Sequence, residues 1–300
     1  MKKILVSILI ILLVVVLGFF VLKKVDDKGK EEFVYTPLMY KICDDNSCMY
    51  LLGSIHIGDA RVNKFSNVIL DAYQDSDELA VELDLNEVTV DLGSLMLDSG
   101  TIEDYISPEL NDKLTKFAEE HPMFTYQQFK SFKIGYIYDY LSMLPYLEEG
   151  YTSEGVDSYF MKLARDDNKP IISLEKYEDQ LNLLIGYSDQ FYIDQINTMI
   201  DYYDLTKKTS LDLYDTYLSG DEEKISALIQ MEEDDSLQTE EGKRFIKDVY
   251  DNRNIAMANR VKDFLSNDEK VFMVVGCAHV VGDKGIVTLL KDNYKISIVK

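Results

Sequence analysis

Basic side chains are scarce in this 300-residue chain: 31 Lys and Arg stand against 54 Asp and Glu, a formal net charge of -23. A surface this acidic, without a basic stripe, is repelled by phosphate backbones, which excludes nucleic-acid binding. Cysteine is scarce as well. Three residues and no C-x-x-C pair exclude a disulfide scaffold, a zinc ribbon and a thioredoxin-type redox site. No 20 to 50 residue period is evident, which argues against a solenoid. No proline falls between residues 176 and 266, a stretch that reads as almost wholly helical with breaks near Gly186, Gly220 and Gly242. What the chain does have is 46% hydrophobic and 28% charged residues, the balance of a globular protein with a sizeable core rather than a disordered tail or a many-pass membrane protein.

The hydrophobic content begins with a 19-residue run, Ile4 to Leu22, interrupted only by Ser7 and Gly18. At about 1.5 Å per residue it spans the hydrocarbon core of a bilayer. It ends in Gly18-Phe19-Phe20-Val21-Leu22 rather than in a small-residue cleavage site, so an uncleaved anchor is expected in preference to a signal peptide. Lys2 and Lys3 precede the run and Lys23 and Lys24 follow it, so flanking charge barely sets the orientation. The economical topology is a short cytoplasmic N-terminus with everything beyond about Val25 outside the membrane. This gives an anchor over residues 1–24, a solvated linker over 25–32 and one domain over 33–300. Those four lysines fall in residues 1–24, so the rest carries 27 basic against 54 acidic side chains, a net of -27. Such a surface favours solubility and could also attract cationic peptides or divalent cations. Cys43 and Cys48 flank a turn between two strands, and a hairpin disulfide is open to them if the domain is extracytoplasmic, although cross-strand geometry often opposes one.

Along the domain, Phe33 to Ile42 and Met49 to Gly53 read as strands, Val62 to Tyr73 as an amphipathic helix, and Glu78 to Leu83 as a buried strand, in outline a β-α-β unit. Ser107-Pro108-Glu109 starts a helix that should stop at His121-Pro122. Residues 123–149 carry a Tyr, Phe and Met stripe that reads as core. A helix from Ser153 feeds a short strand, Ile171 to Leu174, and the chain closes with a strand (Val271 to Gly276), a helix (Gly285 to Asp292) and a last strand (Ile296 to Val299). The expected class is α/β: a mixed, mainly parallel central sheet built from the two ends of the chain, with a large helical insertion at about 105–265.

Two of the three histidines share one local setting, Leu51-Leu52-Gly53-Ser54-Ile55-His56 and Val274-Val275-Gly276-Cys277-Ala278-His279. Each is an apolar strand, a Gly, two residues and a His. Loops beyond the carboxyl ends of sheet strands form the ligand crevice of α/β folds, so both imidazoles belong at one sheet edge. Glu82 closes a third buried strand and Glu175 a fourth. Two His and a carboxylate converging there make an N/O divalent-metal site, and the set admits Mn, Co, Fe or Zn. His121 matches neither motif and reads as a surface or capping residue; Cys277 reads as a small buried hydrophobe rather than a nucleophile. Arg253 shares a helix face with Val249 and Met257, and a guanidinium aimed at a core calls for an acidic partner or an anion. It could form a structural salt bridge, orient Glu82, or steady an oxyanion.

In their order, these residues resemble the TraB/GumN family, which includes the Tiki-type membrane-anchored proteases. The resemblance rests on Gly53-Ser54-Ile55-His56-Ile57-Gly58-Asp59, Ala80-Val81-Glu82-Leu83-Asp84, Gly155-Val156-Asp157 and Lys169-Pro170-Ile171-Ile172-Ser173-Leu174-Glu175. Asp251-Asn252-Arg253-Asn254 with Met257-Ala258, and Gly276-Cys277-Ala278-His279-Val280-Val281-Gly282, complete it over nearly all of residues 48–291. It implies a fold of the erythromycin esterase and ChaN-like type and a metal-dependent hydrolytic site. Carried over by motif, His56 and His279 would be metal ligands, Glu82 a ligand or general base, and Arg253 the stabilising cation, with Glu175 a reserve base or ligand. Asn252 stands where the family commonly has Glu. The expectation is a membrane-anchored, extracytoplasmic metal-dependent hydrolase, most readily a peptidase, whose partners are membrane lipid and a peptide or small-molecule substrate, with pairing to a second copy left open. The competing expectation is a surface module that captures a peptide or small molecule in the same crevice without cleaving it.

Overall fold

The computed structural model describes residues 35–299 apart from 36, 63, 89–90 and 237–238. The expected anchor over 1–24 and linker over 25–32 lie outside the described residues. Among those that are described, no helix is long and apolar enough to cross a membrane.

Six strands form one sheet: β1 (Met39–Cys43), β2 (Cys48–Ser54), β3 (Glu78–Val81), β4 (Ile171–Ser173), β5 (Val271–Gly276) and β6 (Lys295–Val299), in the order β4-β3-β5-β2-β1-β6. The four strands β4, β3, β5 and β2 are parallel, and the β1 hairpin arm and β6 are antiparallel to their neighbours. The mixed, mainly parallel sheet joined by both ends of the chain is as expected. Val271 to Val275 of β5 are all buried, as a parallel strand covered on both faces must be, which explains its unbroken apolar run.

Several boundaries differ from the sequence reading for identifiable reasons. The helix expected from Val62 starts only at Asn67 (Asn67–Gln74), because Phe65 bridges Tyr35 and Ser66 caps with extended backbone. Phe65 keeps its apolar role, its ring 4.9 Å from that of Phe160. Among the described residues the first strand begins at Met39; Phe33, its expected start, lies outside them. Gly220 ends the helix Tyr203–Ser219 with φ of 61°, but Gly242 lies inside the helix Glu240–Ile246, whose start is fixed by Thr239 Oγ1 accepting from the Gly242 amide at 2.9 Å. Helix Pro108–Glu120 has its expected cap: Ser107 Oγ accepts from Leu110 N at 3.1 Å. His121 closes that helix, stacks on Phe117 and lies 2.7 Å from Glu148 through Nδ1. The Tyr and Phe stripe of residues 123–149 is core, with Phe124, Ile137, Leu144 and Tyr146 fully buried.

Asp44 Oδ1 accepts from the amides of Asn46 (2.8 Å) and Ser47 (2.7 Å), which tightens the turn between β1 and β2. Cys43 and Cys48 sit directly opposite in the register and are joined by a disulfide.

Candidate active site at the carboxyl edge of the sheet

The register of β2 on β5 pairs Ser54 with Gly276, so both Gly-x-x-His segments leave the sheet side by side. A Cβ on Gly276 would sit 3.2 Å from Glu82 Oε1 and 3.6 Å from His56 Nε2, which places this glycine against the centre of the cluster. His279 lies on the helical turn Cys277–Val280 and its side chain is 6% exposed; His56 is 26% exposed and forms the open side. Each Nε2 lies 3.8 Å from the same atom, Glu82 Oε1.

The two imidazoles are held from behind by different groups. His279 Nδ1 lies 2.7 Å from Asn254 Oδ1, and the amide orientation is fixed because Asn254 Nδ2 donates to Lys284 O at 3.0 Å. The His279 proton therefore belongs on Nδ1, leaving the Nε2 lone pair toward Glu82. His56 Nδ1 pairs with Asp157 Oδ2 at 2.9 Å, while Asp157 Oδ1 accepts from Ser54 Oγ at 2.8 Å. Asp157 is the second residue of helix Val156–Asp167, which starts against the His56 loop: Val156 N donates to Ile55 O at 3.0 Å. The approach requires glycine at 155, where a Cβ would lie 2.1 Å from Ile55 O.

Glu82 and Glu175 follow β3 and β4, neighbours in the sheet, and Glu175 N donates to Glu82 O at 3.0 Å. Arg253 binds both carboxylates. Its Nη2 donates to Glu82 Oε2 (2.5 Å) and to Glu175 Oε2 (2.8 Å), and its Nε to Glu175 Oε1 (2.6 Å). Both Glu175 oxygens thus face the guanidinium, and Gln180 Nε2 donates to Oε2 at 2.7 Å. The remaining Glu82 oxygen, Oε1, accepts from Gly276 N at 2.7 Å. Asn252, in the position where a Glu would stand, is exposed and donates to Asp248 Oδ1, and among the described residues the carboxylates that pair with Arg253 are those of Glu82 and Glu175. Arg253 follows a wide π-helical turn, Lys247–Asp251, a local departure from α-helix of the kind that accompanies functional sites.

The charges interlock. Burial alone would raise the Glu82 pKa, but Arg253, then His279 and His56, and the Gly276 amide hold it well below the usual carboxylate range. Burial also acts against charged Arg253, yet its two carboxylates keep its pKa above its ordinary value. Burial, reinforced by Arg253, pushes His279 down to about 3, so it stays neutral. Burial acts the same way on His56, but Asp157 and then Glu82 outweigh it and raise the pKa to about 9. Burial pushes the Cys277 thiol up to about 12, the state of an inert core residue.

The spacing of the donor atoms suits a divalent cation. Ligand bonds of about 2.0–2.2 Å allow donor separations up to roughly 4 Å, and both 3.8 Å histidine–Glu82 separations fall inside that limit. Asn254 behind His279 and Asp157 behind His56 orient the two imidazoles as ligands of such an ion are oriented, and Glu82 is ionised. The fit is pairwise: among the described residues, no group of three or more His, Cys, Asp or Glu side chains forms a ready-made cage.

All five residues singled out from the sequence are therefore brought together: His56, His279, Glu82, Glu175 and Arg253. Asp157 and Asn254 were missed as participants. Their signal was present in Gly155-Val156-Asp157 and in the Asn that follows Arg253, but neither spacing reveals that these side chains reach a histidine in a distant loop.

No curated protein and no solved structure matches the chain. A family model, that of the TraB/PrgY/gumN family, matches residues 38–297. That span includes both Gly-x-x-His loops, the two glutamates and Arg253, and the chain belongs to the TraB/PrgY/gumN family.

Proposed function

We propose that this protein is a membrane-anchored, extracytoplasmic, metal-dependent hydrolase acting on peptides. The observation that carries the reading is the approach of two imidazole Nε2 atoms, each 3.8 Å away, to one buried carboxylate oxygen at the carboxyl edge of a parallel sheet. His56 and His279 would hold the ion through Nε2, and Glu82 through Oε1. A divalent cation bound there supplies Lewis acidity toward a carbonyl and acidifies its water. Glu82 Oε1 lies 3.8 Å from each Nε2, and its depressed pKa makes it a good ligand and a weak base. Arg253, with Nε and Nη2 committed to carboxylates, orients Glu82 rather than meeting an oxyanion, and Glu175 holds Arg253. His56 is the most open member of the cluster, so substrate would enter from its side.

The Ile4 to Leu22 run supports the anchor, and the Cys43–Cys48 disulfide supports an oxidising compartment outside the cytoplasm. The competing reading, capture of a peptide without cleavage, is favoured by the lack of a three-ligand cage among the described residues and by the existing bonds on both Glu82 oxygens. The test is a peptide-library digest with the full chain after metal removal and re-addition of Mn, Co or Zn. Cleavage that needs a metal and is lost in His56→Ala, with the far-UV circular dichroism unchanged, is the expected result. Binding of peptides without cleavage under every metal would establish the competing reading.

A further inference from the structure

The segment that carries His56 continues through Ile57-Gly58-Asp59, and the cluster of histidines, glutamates and Arg253 uses none of these three. Residues 55–57 belong to no helix or strand, so His56 stands on backbone that no regular element holds. His279 differs, because it lies on the helical turn Cys277–Val280 and its side chain is buried. There is also little slack in the placement of His56. Its Nε2 lies 3.8 Å from Glu82 Oε1, and two ligands of one ion stand at most roughly 4 Å apart. A small outward displacement of the imidazole takes the pair past that limit.

Both ends of this segment are held by one helix. Tyr214 and Tyr217 lie three residues apart on helix Tyr203–Ser219, hence on one side of it, and both are buried. The Tyr217 hydroxyl donates to Gly53 O at 3.1 Å, near the end of β2. The Tyr214 hydroxyl accepts from Asp59 N at 3.2 Å and donates to Asp59 Oδ1 at 3.1 Å. His56 therefore lies between two attachments made by neighbouring hydroxyls.

Tyr214 is itself fixed in place. Its ring stands 4.6 Å from that of Tyr151 and 5.1 Å from the Arg61 guanidinium. Arg61 in turn donates from Nε to Asp59 Oδ2 at 2.8 Å and from Nη2 to the Tyr151 hydroxyl at 3.1 Å. Next to Tyr151, Thr152 exchanges backbone hydrogen bonds with Gly58, 2.9 Å in each direction. A Cβ on Gly58 would lie 2.3 Å from Val62 Cγ2, so glycine permits this close approach. The unused part of the motif is thus the part that the two tyrosines and their neighbours grip.

We propose that Tyr214 and Tyr217 are positioning residues for His56: through them helix Tyr203–Ser219, part of the helical insertion, sets where the open imidazole stands relative to His279 and Glu82. The proposal rests on the hydrolase reading for the role of His56 as a ligand, but its test begins without metal or substrate. The metal-free full chain in detergent micelles is compared with Tyr214→Phe, Tyr217→Phe and the double variant, which keep both rings and lose only the hydroxyls. Tyr126→Phe is the control, because its hydroxyl, on a buried residue elsewhere in the insertion, donates to Asn111 Oδ1 at 2.9 Å. Hydrogen exchange over residues 53–62 should accelerate about fivefold for each hydroxyl removed, the worth of one net hydrogen bond, and should stay native in Tyr126→Phe. With ring-nitrogen-labelled histidine, the NMR signals of His56 should shift or broaden in each tyrosine variant, while those of His121, held by Glu148, stay in place. A merely structural tyrosine would accelerate exchange throughout the chain and single out no histidine. Should the double variant fail to fold, the two single variants carry the test. Native exchange over 53–62 in both single variants, equal acceleration everywhere, or an unmoved His56 signal overturns the proposal. Selective acceleration with a moved His56 signal supports it even if the chain binds no metal, in which case only the hydrolase reading fails. Where the native chain binds Co, the folded double variant should bind it at least about tenfold more weakly, and equal affinity overturns the proposal.

Discussion

Arg253→Met separates the interactions that hold the cluster together. In the native protein the guanidinium, 10% exposed, spans two carboxylates that are 8% and 11% exposed, through three charge-assisted hydrogen bonds of 2.5–2.8 Å. Removing one partner of a buried ion pair leaves the other charge uncompensated and costs about 3–5 kcal/mol. For a domain of this size that lowers the melting temperature on the order of 10 °C. The cost should depend on pH in a definite direction. The folded-state pKa of Glu82 is depressed in the native protein, so its contribution is fully present above the ordinary carboxylate pKa and is lost as pH falls through the folded value. Without Arg253 the burial effect gains weight and protonated Glu82 is tolerated better than the anion. The gap between native protein and variant should therefore be widest at pH 7.5 and narrower at pH 4.5. Urea unfolding followed by circular dichroism at the two pH values measures it, and adding Glu82→Gln to Arg253→Met should recover part of the loss at pH 7.5. A loss below about 1 kcal/mol, the worth of an exposed pair, or an equal loss at both pH values, would refute the assignment of Arg253 as the buried clamp on Glu82.

Three further outcomes follow from the same geometry. Asp157→Asn should bring the His56 pKa down from about 9 past its ordinary value of about 6.5, because burial remains while the leading carboxylate is gone; an NMR titration that still places it near 9 would mean that Asp157 is not its main partner. The stabilisation from charged His56 is full below about pH 6.5 and fades as pH rises through 9, so the difference in stability between native protein and Asp157→Asn should shrink on the alkaline side. Gly155→Ala, whose Cβ would lie 2.1 Å from Ile55 O, should cost about 1–3 kcal/mol as an overpacked contact and disturb His56; thermal unfolding within error of the native protein would contradict the close approach. Reduction of Cys43–Cys48 should cost about 2 kcal/mol for so short a closed loop, and alkylation of unreduced, denatured protein should label Cys277 alone; labelling of all three cysteines would show that the bridge does not form.

The sheet was legible because its strands obey burial. The unbroken run Val271 to Val275 could only be a strand covered on both faces, and it is the inner strand between β3 and β2. The histidines were legible for a related reason: matched Gly-x-x-His segments after matched strands must leave a parallel sheet on the same edge. The supporting groups were not. Asp157 acts through a helix start that comes within van der Waals overlap of the Ile55 backbone unless residue 155 is glycine, a tertiary approach that helix periodicity does not encode. Asn254 and Arg253 follow a π-helical turn, and a sequence read at 3.6 residues per turn assigns their faces without it. Arg253 was correctly expected to need an acidic partner, because a guanidinium on an otherwise apolar face has few alternatives, but that it binds Glu82 and Glu175 together depends on β3 and β4 being neighbours.

The central claim is that the Nε2 atoms of His56 and His279, with Glu82, hold a divalent cation, which would take the place of the proton that His56 carries on Nε2 without it. Its most direct test is equilibrium binding of Mn, Co and Zn to the metal-stripped full chain, native and His56→Ala/His279→Ala, with circular dichroism to confirm that both are folded. The account predicts one ion bound per native chain and none in the double variant; weak binding that is the same for both proteins would contradict it.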